Sequence, residues 1–336
     1  ACVCATVGST DGIVKVIELL SDEGDDLFAE AYTWAGMLAI STSRGRNVMS
    51  CDVDAGGLTA EGLEKALLES KSKKKNDDAK KPLLYTISSG HNPLGVTASL
   101  ERKRAVYEVC CKYDVIILED DPYYYLAMDS SSEKSPLQKL QASYLSIDAE
   151  KRVIRLDSFA KILSPGMRLG CVTCLREEFV SKFSLLQEQS TQHPSGLAQS
   201  TFVGLFQTWG FDGFFEQHLA VIQAEYLRRR DVLLAALEEA LAKAPQQLKV
   251  TYTLPSEGMF LWLDQNAVAD ASDIDFAEAG VACVPGCFFR TSDCGTRTGG
   301  PCPFLRLTYA AANDADLKNG AHRVVSVLAE KISTTL

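Results

Sequence analysis

Asp157-Ser158-Phe159-Ala160-Lys161-Ile162-Leu163-Ser164-Pro165-Gly166-Met167-Arg168-Leu169-Gly170 is the stretch that decides how this chain folds and what it can do. A β-prone run over 153–156 feeds it, which places it where a strand leaves a sheet. Lys161 has a hydroxyl three residues before it, on Ser158, and a guanidinium seven residues after it, on Arg168. Pro165, Gly166 and Gly170 keep the surrounding backbone out of regular structure. A lysine that forms a Schiff base needs such a setting: a rigid scaffold, partial desolvation and neighbouring cations that lower its pKa. Ser158 and Arg168 would bind a phosphate, and Arg168 would add positive field. Serine-based hydrolases share the bare S-x-x-K spacing, so the rest of the chain must decide.

The chain has 336 residues, 46% hydrophobic and 23% charged, which fits a globular α/β protein of one large or two modest domains. A net charge of −10 predicts no general affinity for nucleic acid or an anionic membrane. No run is long and apolar enough to span a bilayer. Eleven cysteines are scattered, and Cys110, Cys111, Cys171 and Cys174 lie within apolar runs. That pattern predicts reduced, buried thiols in a cytoplasmic setting rather than a disulfide framework. Cys171-Val-Thr-Cys174 has no second pair at zinc-ligand spacing and reads as a strand pair, not a metal site. The sequence opens at Ala1, inside an apolar run and without a methionine, so a segment is expected upstream and targeting goes unread.

Gly8-Ser9-Thr10-Asp11-Gly12 opens an amphipathic run over 13–20. Free N–H groups at such a helix start suit a phosphate; an ordinary N-cap by Ser9 or Thr10 is the plainer reading, and Asp11 brings a negative charge to the same turn. The segment 25–36 reads as a short strand ending in aromatics, with Tyr32 stacking on a flat ring or packing in the core. A strand over 46–52, a helix over 59–70 and a lysine-rich surface loop over 70–82 follow.

Three strand-plus-loop units come next. The run 83–87 ends at Ser88-Ser-Gly-His-Asn92-Pro93, the run 115–118 ends at Glu119-Asp120-Asp121-Pro122-Tyr123, and the run 153–156 ends at the lysine segment. A helix over 100–112 separates the first two, and this alternation argues for a doubly wound, largely parallel sheet. Ligands of such sheets lie beyond the carboxyl ends of the strands, which here carry Asn92, then Asp120 with Tyr123, then Ser158 with Lys161.

After Arg168 the sequence predicts a strand over 170–175, a helix over 177–189 and a long helical region over 197–241 that breaks near Gly210 to Gly213. Arg228-Arg-Arg-Asp231 reads as a solvated face. A smaller α+β layer follows, with strands over 248–253, 258–263, 280–284 and 304–309 and a helix over 314–331. Arg306 stands in an apolar strand and needs a partner, either a structural carboxylate or a substrate carboxylate held bidentately.

Taken together, GSTDG (8–12), HNPLG (91–95), EDDPYYYL (119–126), the lysine segment, PSEGMFLWL (255–263) and FLRLTY (304–309) stand in the order and at about the spacing of class I/II aminotransferases. Over essentially its whole length the chain resembles fold-type I pyridoxal-phosphate-dependent aminotransferases. The kynurenine/α-aminoadipate and aromatic branch is nearest, through EDDPYYYL, Thr191-Gln-His-Pro-Ser195 and Gly258-Met-Phe-Leu-Trp262. The resemblance implies an α/β fold with a mostly parallel sheet in a large cofactor-binding domain, 1–210, and a smaller α+β C-terminal domain, 211–336. It implies pyridoxal 5′-phosphate as cofactor, no metal, and a homodimer.

By the same resemblance Lys161 is the Schiff-base lysine, Asp120 the partner of the ring nitrogen, and Asn92 and Tyr123 the partners of the ring oxygen. Ser9, Thr10, Ser158 and Arg168 are the phosphate ligands, Tyr32 is the stacking aromatic, and Arg306 with Asn92 holds the substrate carboxylate. The ring acts as an electron sink best when its nitrogen is protonated, which a buried aspartate favours, and Lys161 would move the proton at the substrate α-carbon. The activity implied is transfer of an amino group from an aromatic or 2-aminoadipate-type amino acid to a 2-oxo acid, 2-oxoglutarate first.

Thr10-Asp11 stands where the family usually has Gln-Gln, Ala31 where it has Pro and Leu94 where it has Thr. About the first quarter of a typical member has no counterpart in this sequence. The rival readings are a ligand-sensing domain of a transcription regulator that borrows the fold, and a related lyase that needs no oxo-acid acceptor.

Overall fold

The strands of the main sheet, in chain order, are β1 (Cys2–Thr6), β2 (Asp26–Glu30) and β3 (Asn47–Cys51), then, after a short hairpin of β4 (Val53–Asp54) and β5 (Gly57–Leu58), β6 (Leu83–Thr86), β7 (Ile116–Asp120), β8 (Val153–Ser158) and β9 (Gly170–Cys174). They belong to a computed structural model that describes residues 1–73, 81–130, 134–292 and 299–335. Leu27 and Ala29 of β2, Leu83 and Tyr85 of β6, and Ile116 and Leu118 of β7 join one buried apolar cluster. Phe28, Leu84 and Ile117, the residues between them, join a second. A period of two with both faces apolar is what a sheet covered by helices on both sides requires.

The seven-stranded sheet runs β1-β9-β8-β7-β6-β2-β3. From β8 to β3 every pairing is parallel, as the strand–helix alternation predicts, and β9 is antiparallel to both β8 and β1. Since β6, β7 and β8 are direct neighbours, their carboxyl ends lie side by side. Helices α1 (Ser9–Leu20) and α2 (Ala35–Thr42) give Ile13, Val16, Ile17, Met37 and Leu38 to the first cluster. Helices α3 (Ala60–Lys73) and α4 (Leu100–Lys112) give Leu63, Leu67, Val106 and Cys110 to the second. Ser99 starts α4 by accepting the Arg102 N–H at 3.1 Å.

After α5 (Glu177–Glu188), helix α6 (Gly196–Asp212) breaks at Gly210 (φ 68°, ψ 179°) and passes through a π-helical turn, Gly213–His218, into α7 (Leu219–Lys243). A second, antiparallel sheet has the order β10-β11-β13-β12, from β10 (Val250–Tyr252), β11 (Phe260–Gln265), β12 (Val284–Pro285) and β13 (Leu305–Thr308). Helix α8 (Asp314–Thr335) packs along α7. The first apolar cluster is continuous from Ile13 and Leu156 to Leu263, Leu305 and Leu328, so both sheets share it.

Several expectations are corrected. Strand β2 ends at Glu30, and Tyr32 and Trp34 fall in the turn to α2. The strand expected over 280–284 shrinks to β12, because only Val284 and Pro285 pair with β13. Helix α3 continues to Lys73, into the segment read as a loop, and residues 74–80 lie outside the described residues. Arg229 and Arg230 are not merely solvated: they donate to the carbonyls of Ala310 and Ala312 (3.0 Å each) and of Pro255 (2.8 Å). Cys171 and Cys174 lie on β9 three residues apart, hence on opposite faces, and no group able to hold a metal occurs among the described residues. No described helix is long and apolar enough to cross a membrane.

Two glycines bring the sheets together at the site. A Cβ on Gly258, just before β11, would stand 2.8 Å from Gly90 Cα, and both residues have positive φ (82° and 55°). Only glycine permits that backbone crossing, which seats the Asn92 loop against the second sheet.

Candidate active site

A cavity of about 230 Å³ opens beyond the carboxyl ends of β6, β7 and β8. Ser9, Thr10, Asn92, Asp120, Tyr123, Ser158, Lys161 and Arg168 line it, together with Ile13, Trp34, Ile87, Pro122 and Ala160. Residues far apart in sequence meet there because most stand at or beyond a strand end or in the first turns of α1, with Arg168 just before β9.

One corner is built for an anion. Gly8, at φ 78°, is the N-cap of α1, and neither Ser9 nor Thr10 caps it by its side chain. Arg168 sits against this turn: a Cβ on Gly8 would lie 2.6 Å from Arg168 Nη2. The backbone of Arg168 is left-handed (φ 49°, ψ 50°), a costly conformation for a side-chain-bearing residue, and its Nη1 donates to the Pro165 carbonyl at 3.0 Å. Ser9 Oγ is buried close enough to Asp120 to stabilise its carboxylate. Ser158 Oγ accepts the Ala160 N–H at 3.2 Å, turning the chain toward Lys161.

Asp120, 4% exposed at the end of β7, accepts the Tyr85 hydroxyl on Oδ2 at 2.7 Å, while its Oδ1 is buried without a partner. Burial pushes its carboxyl up to about 7; the Tyr85 and Ser9 hydroxyls oppose this, and the charges of Asp121 and Asp157 add to it. A cationic group beside Oδ1 would reverse the cost. Lys161 stands 5.9 Å above the Tyr123 ring. Burial holds its ammonium below the usual lysine range, as do Arg168 and Arg306, against the pull of Asp120.

At the opposite wall, Asn92 Nδ2 donates to the Tyr123 hydroxyl at 3.3 Å and Asn92 Oδ1 accepts from Arg306 Nη1 at 2.8 Å. Arg306 is outside the cavity lining but touches it through Asn92. Its guanidinium lies over Phe260 and Phe289, 4.5 and 4.7 Å from the ring centroids. Among the described residues no carboxylate pairs with it, so the structural carboxylate considered from sequence is not what holds it.

Tyr32 also lies outside the cavity lining. Its ring packs on Trp262 and Phe304, 5.4 and 5.2 Å between centroids, and its backbone bridges Arg290. Trp34 lines the cavity instead. Trp34 is the N-cap of α2, and its indole folds back over Gly36, where a Cβ would meet Cζ2 at 2.2 Å. The signal was an aromatic followed two residues later by glycine, at the start of a helix. Tyr85 was also missed; it is a polar-tipped residue in an apolar strand, paired with Leu118 two residues before Asp120.

Behind the wall lies a buried ionic cluster. Arg155 pairs with Asp121 at 2.9 Å, Asp157 at 2.8 Å and Glu119 at 3.5 Å, and stacks 4.2 Å from the Tyr124 ring centroid. It braces the carboxyl ends of β7 and β8. This donor set fits pyridoxal phosphate: an unpartnered carboxylate oxygen for a protonated ring nitrogen, a cationic turn for a phosphate, and a lysine with lowered proton affinity between them.

The comparisons agree. The family model described as "Aminotransferase class I and II" matches residues 1–324. The aminotransferase swnA of Arthroderma benhamiae is 34% identical over 98% of this chain and 70% of its own length. The mitochondrial kynurenine/alpha-aminoadipate aminotransferase of Bos taurus is 31% identical over 98% and 74%. Among solved structures, the aromatic aminotransferase Aro9 of Candida albicans superposes with a TM-score of 0.85 at 28% identity, over 99% of this chain and 74% of that one. Given that match and this geometry, the chain belongs to the class I and II aminotransferases, a family of pyridoxal-phosphate-dependent enzymes.

Proposed function

We propose that this aminotransferase takes the amino group of an aromatic or 2-aminoadipate-type amino acid and passes it to a 2-oxo acid, with 2-oxoglutarate the leading acceptor. The observation that carries the reading is the meeting, around one cavity, of Lys161, Asp120, the anion corner and the Asn92–Tyr123–Arg306 chain. The activities named for the bovine and fungal relatives support the substrate class.

In this reading Lys161 carries the cofactor covalently, and Arg168, Ser158, Ser9 and Thr10 hold its phosphate. Trp34 takes the stacking place that sequence reasoning gave to Tyr32. When bound, the cofactor supplies an electron sink for the bond broken at the substrate α-carbon. Asp120 Oδ1 keeps a proton on the ring nitrogen, and the low dielectric around it strengthens that contact. The Tyr123 hydroxyl and Asn92 Nδ2 orient the ring oxygen. Arg306 clamps the α-carboxylate of the amino acid with its remaining N–H groups. Once the substrate amine has taken its place on the cofactor, the freed Lys161 Nζ would take the α-carbon proton, a task suited to an amine held below its ordinary proton affinity.

The division into 1–210 and 211–336 belongs to the same proposal and is supported by the backbone break at Gly210. So does homodimerisation: Leu197, Phe211 and Val203 on α6 are 79%, 60% and 51% exposed, large apolar side chains of the kind subunits cover. The scattered thiols of the sequence support a cytoplasmic setting. The experiment is product analysis with kynurenine, 2-aminoadipate, tyrosine or phenylalanine as donor. Glutamate formed in step with the donor's oxo acid, and only with 2-oxoglutarate present, supports the reading. Sustained product without any acceptor overturns it in favour of a lyase.

A further inference from the structure

Asp11 puts a carboxylate next to Thr10, in the turn assigned above to the cofactor phosphate, where a bare negative charge would oppose binding. The structure shows how that charge is handled. Asp11 Oδ2 accepts the Val7 N–H at 3.0 Å, and Oδ1 pairs with the Lys15 ammonium one helical turn on. Lys15 is 2% exposed, and its Nζ also donates to Thr191 Oγ1 at 2.8 Å, 6.0 Å above the Phe183 ring. Asp11 is its only carboxylate partner among the described residues, and a buried ammonium is costly without one.

The backward bond shapes the turn. A carboxylate at the third helical position commonly reaches back to the residues before the helix. Asp11 does this to Val7, so the backbone that enters Gly8 is fixed without any side chain capping the N–H groups of the first turn. Thr191 lies between α5 and α6, so Lys15 also ties the turn to a second element.

We propose that Asp11 and Lys15 are a positioning pair for the phosphate corner: Asp11 sets the shape of the turn 7–10, while Lys15 cancels its charge and anchors it through Thr191. This rests on the assignment of the phosphate to that corner. The test titrates the full-length apoprotein with pyridoxal phosphate, and with pyridoxal, which lacks the phosphate, following cofactor absorbance. The K15M variant leaves the Asp11 charge bare and is expected to weaken pyridoxal phosphate about tenfold, with pyridoxal little changed. The D11N/K15M variant removes that charge and is expected to recover to within about threefold of wild type. T191V keeps the ion pair, loses the anchor, and is expected to weaken pyridoxal phosphate alone by about threefold; it also serves if K15M does not fold. Equal weakening of both ligands in K15M or T191V, or no weakening in either, overturns the pair. Wild type that binds pyridoxal phosphate no better than pyridoxal overturns the phosphate corner itself, and the pair with it.

Discussion

Arg306 Nη1 donates to Asn92 Oδ1 at 2.8 Å across 214 residues of sequence, joining a strand of the second sheet to the loop that follows β6. Asn92 in turn holds the Tyr123 hydroxyl, so three side chains form one hydrogen-bonded line into the cavity. The Phe260 and Phe289 rings pack against the Arg306 guanidinium.

Removing the guanidinium should therefore hurt the binding of both substrates and spare the cofactor. R306Q is expected to raise KM for the amino acid and the oxo acid by about 30- to 100-fold, roughly 2–3 kcal/mol, because a charge-assisted bidentate clamp is lost. R306K should recover little, since an ammonium cannot reproduce the fork or stack as well on Phe260 and Phe289. Steady-state kinetics beside a cofactor titration separates the effects; weaker cofactor binding with unchanged KM would contradict this role.

Replacing Trp34 tests the proposal that it, rather than Tyr32, stacks on the cofactor. W34A should weaken cofactor binding by about tenfold, in line with roughly 1–1.5 kcal/mol for an aromatic contact. G36A should do so as well, because the new Cβ would displace the indole at Cζ2. Y32A should lower thermal stability through its lost contacts with Trp262 and Phe304 and leave cofactor affinity unchanged. Cofactor affinity that follows Tyr32 rather than Trp34 would refute the proposal.

The carboxyl of Asp120 gives a pH signature in the apoprotein. Its folded value, pushed up to about 7, lies above its ordinary 3.8. Between about pH 4 and 7 the folded protein thus keeps a proton that the unfolded chain has released, so this residue lowers stability as pH rises through that window. D120N lacks the group and should show a shallower loss of urea stability from pH 4 to 7 than wild type. Parallel curves for the two apoproteins would count against a raised Asp120.

At the crossing of the two sheets, G258A should destabilise the protein by about 2–4 kcal/mol, combining positive φ with a clash against backbone that cannot move aside. Urea unfolding of the variant measures this, and a loss under about 0.5 kcal/mol would mean the crossing is not tight.

The proposed site was legible in part because Asn92, Asp120 and Lys161 stand at or beyond the ends of apolar runs, and the cavity is lined by all three. Neighbouring parallel strands bring such ends together without further information. Trp34 was not readable in the same way. Tyr32 and Trp34 alternate at the exit of β2, and which one faces the cavity depends on α2 starting at Ala35 and on the space over Gly36. The ionic cluster around Arg155 needed the register of β7 against β8, which sets Glu119 opposite Arg155. Sequence shows four charges near two strand ends, and only pairing turns them into a brace. Arg229 and Arg230 likewise look solvated in a charged run until α7 is laid beside the carbonyls of 310 and 312.

The most direct measurement is the absorbance spectrum of the apoprotein titrated with pyridoxal phosphate, for wild type and K161A. A protein-bound band is expected in wild type, absent from K161A and lost when 2-aminoadipate, kynurenine or an aromatic amino acid is added. A band of equal strength in K161A, or none in wild type, would contradict the assignment of Lys161.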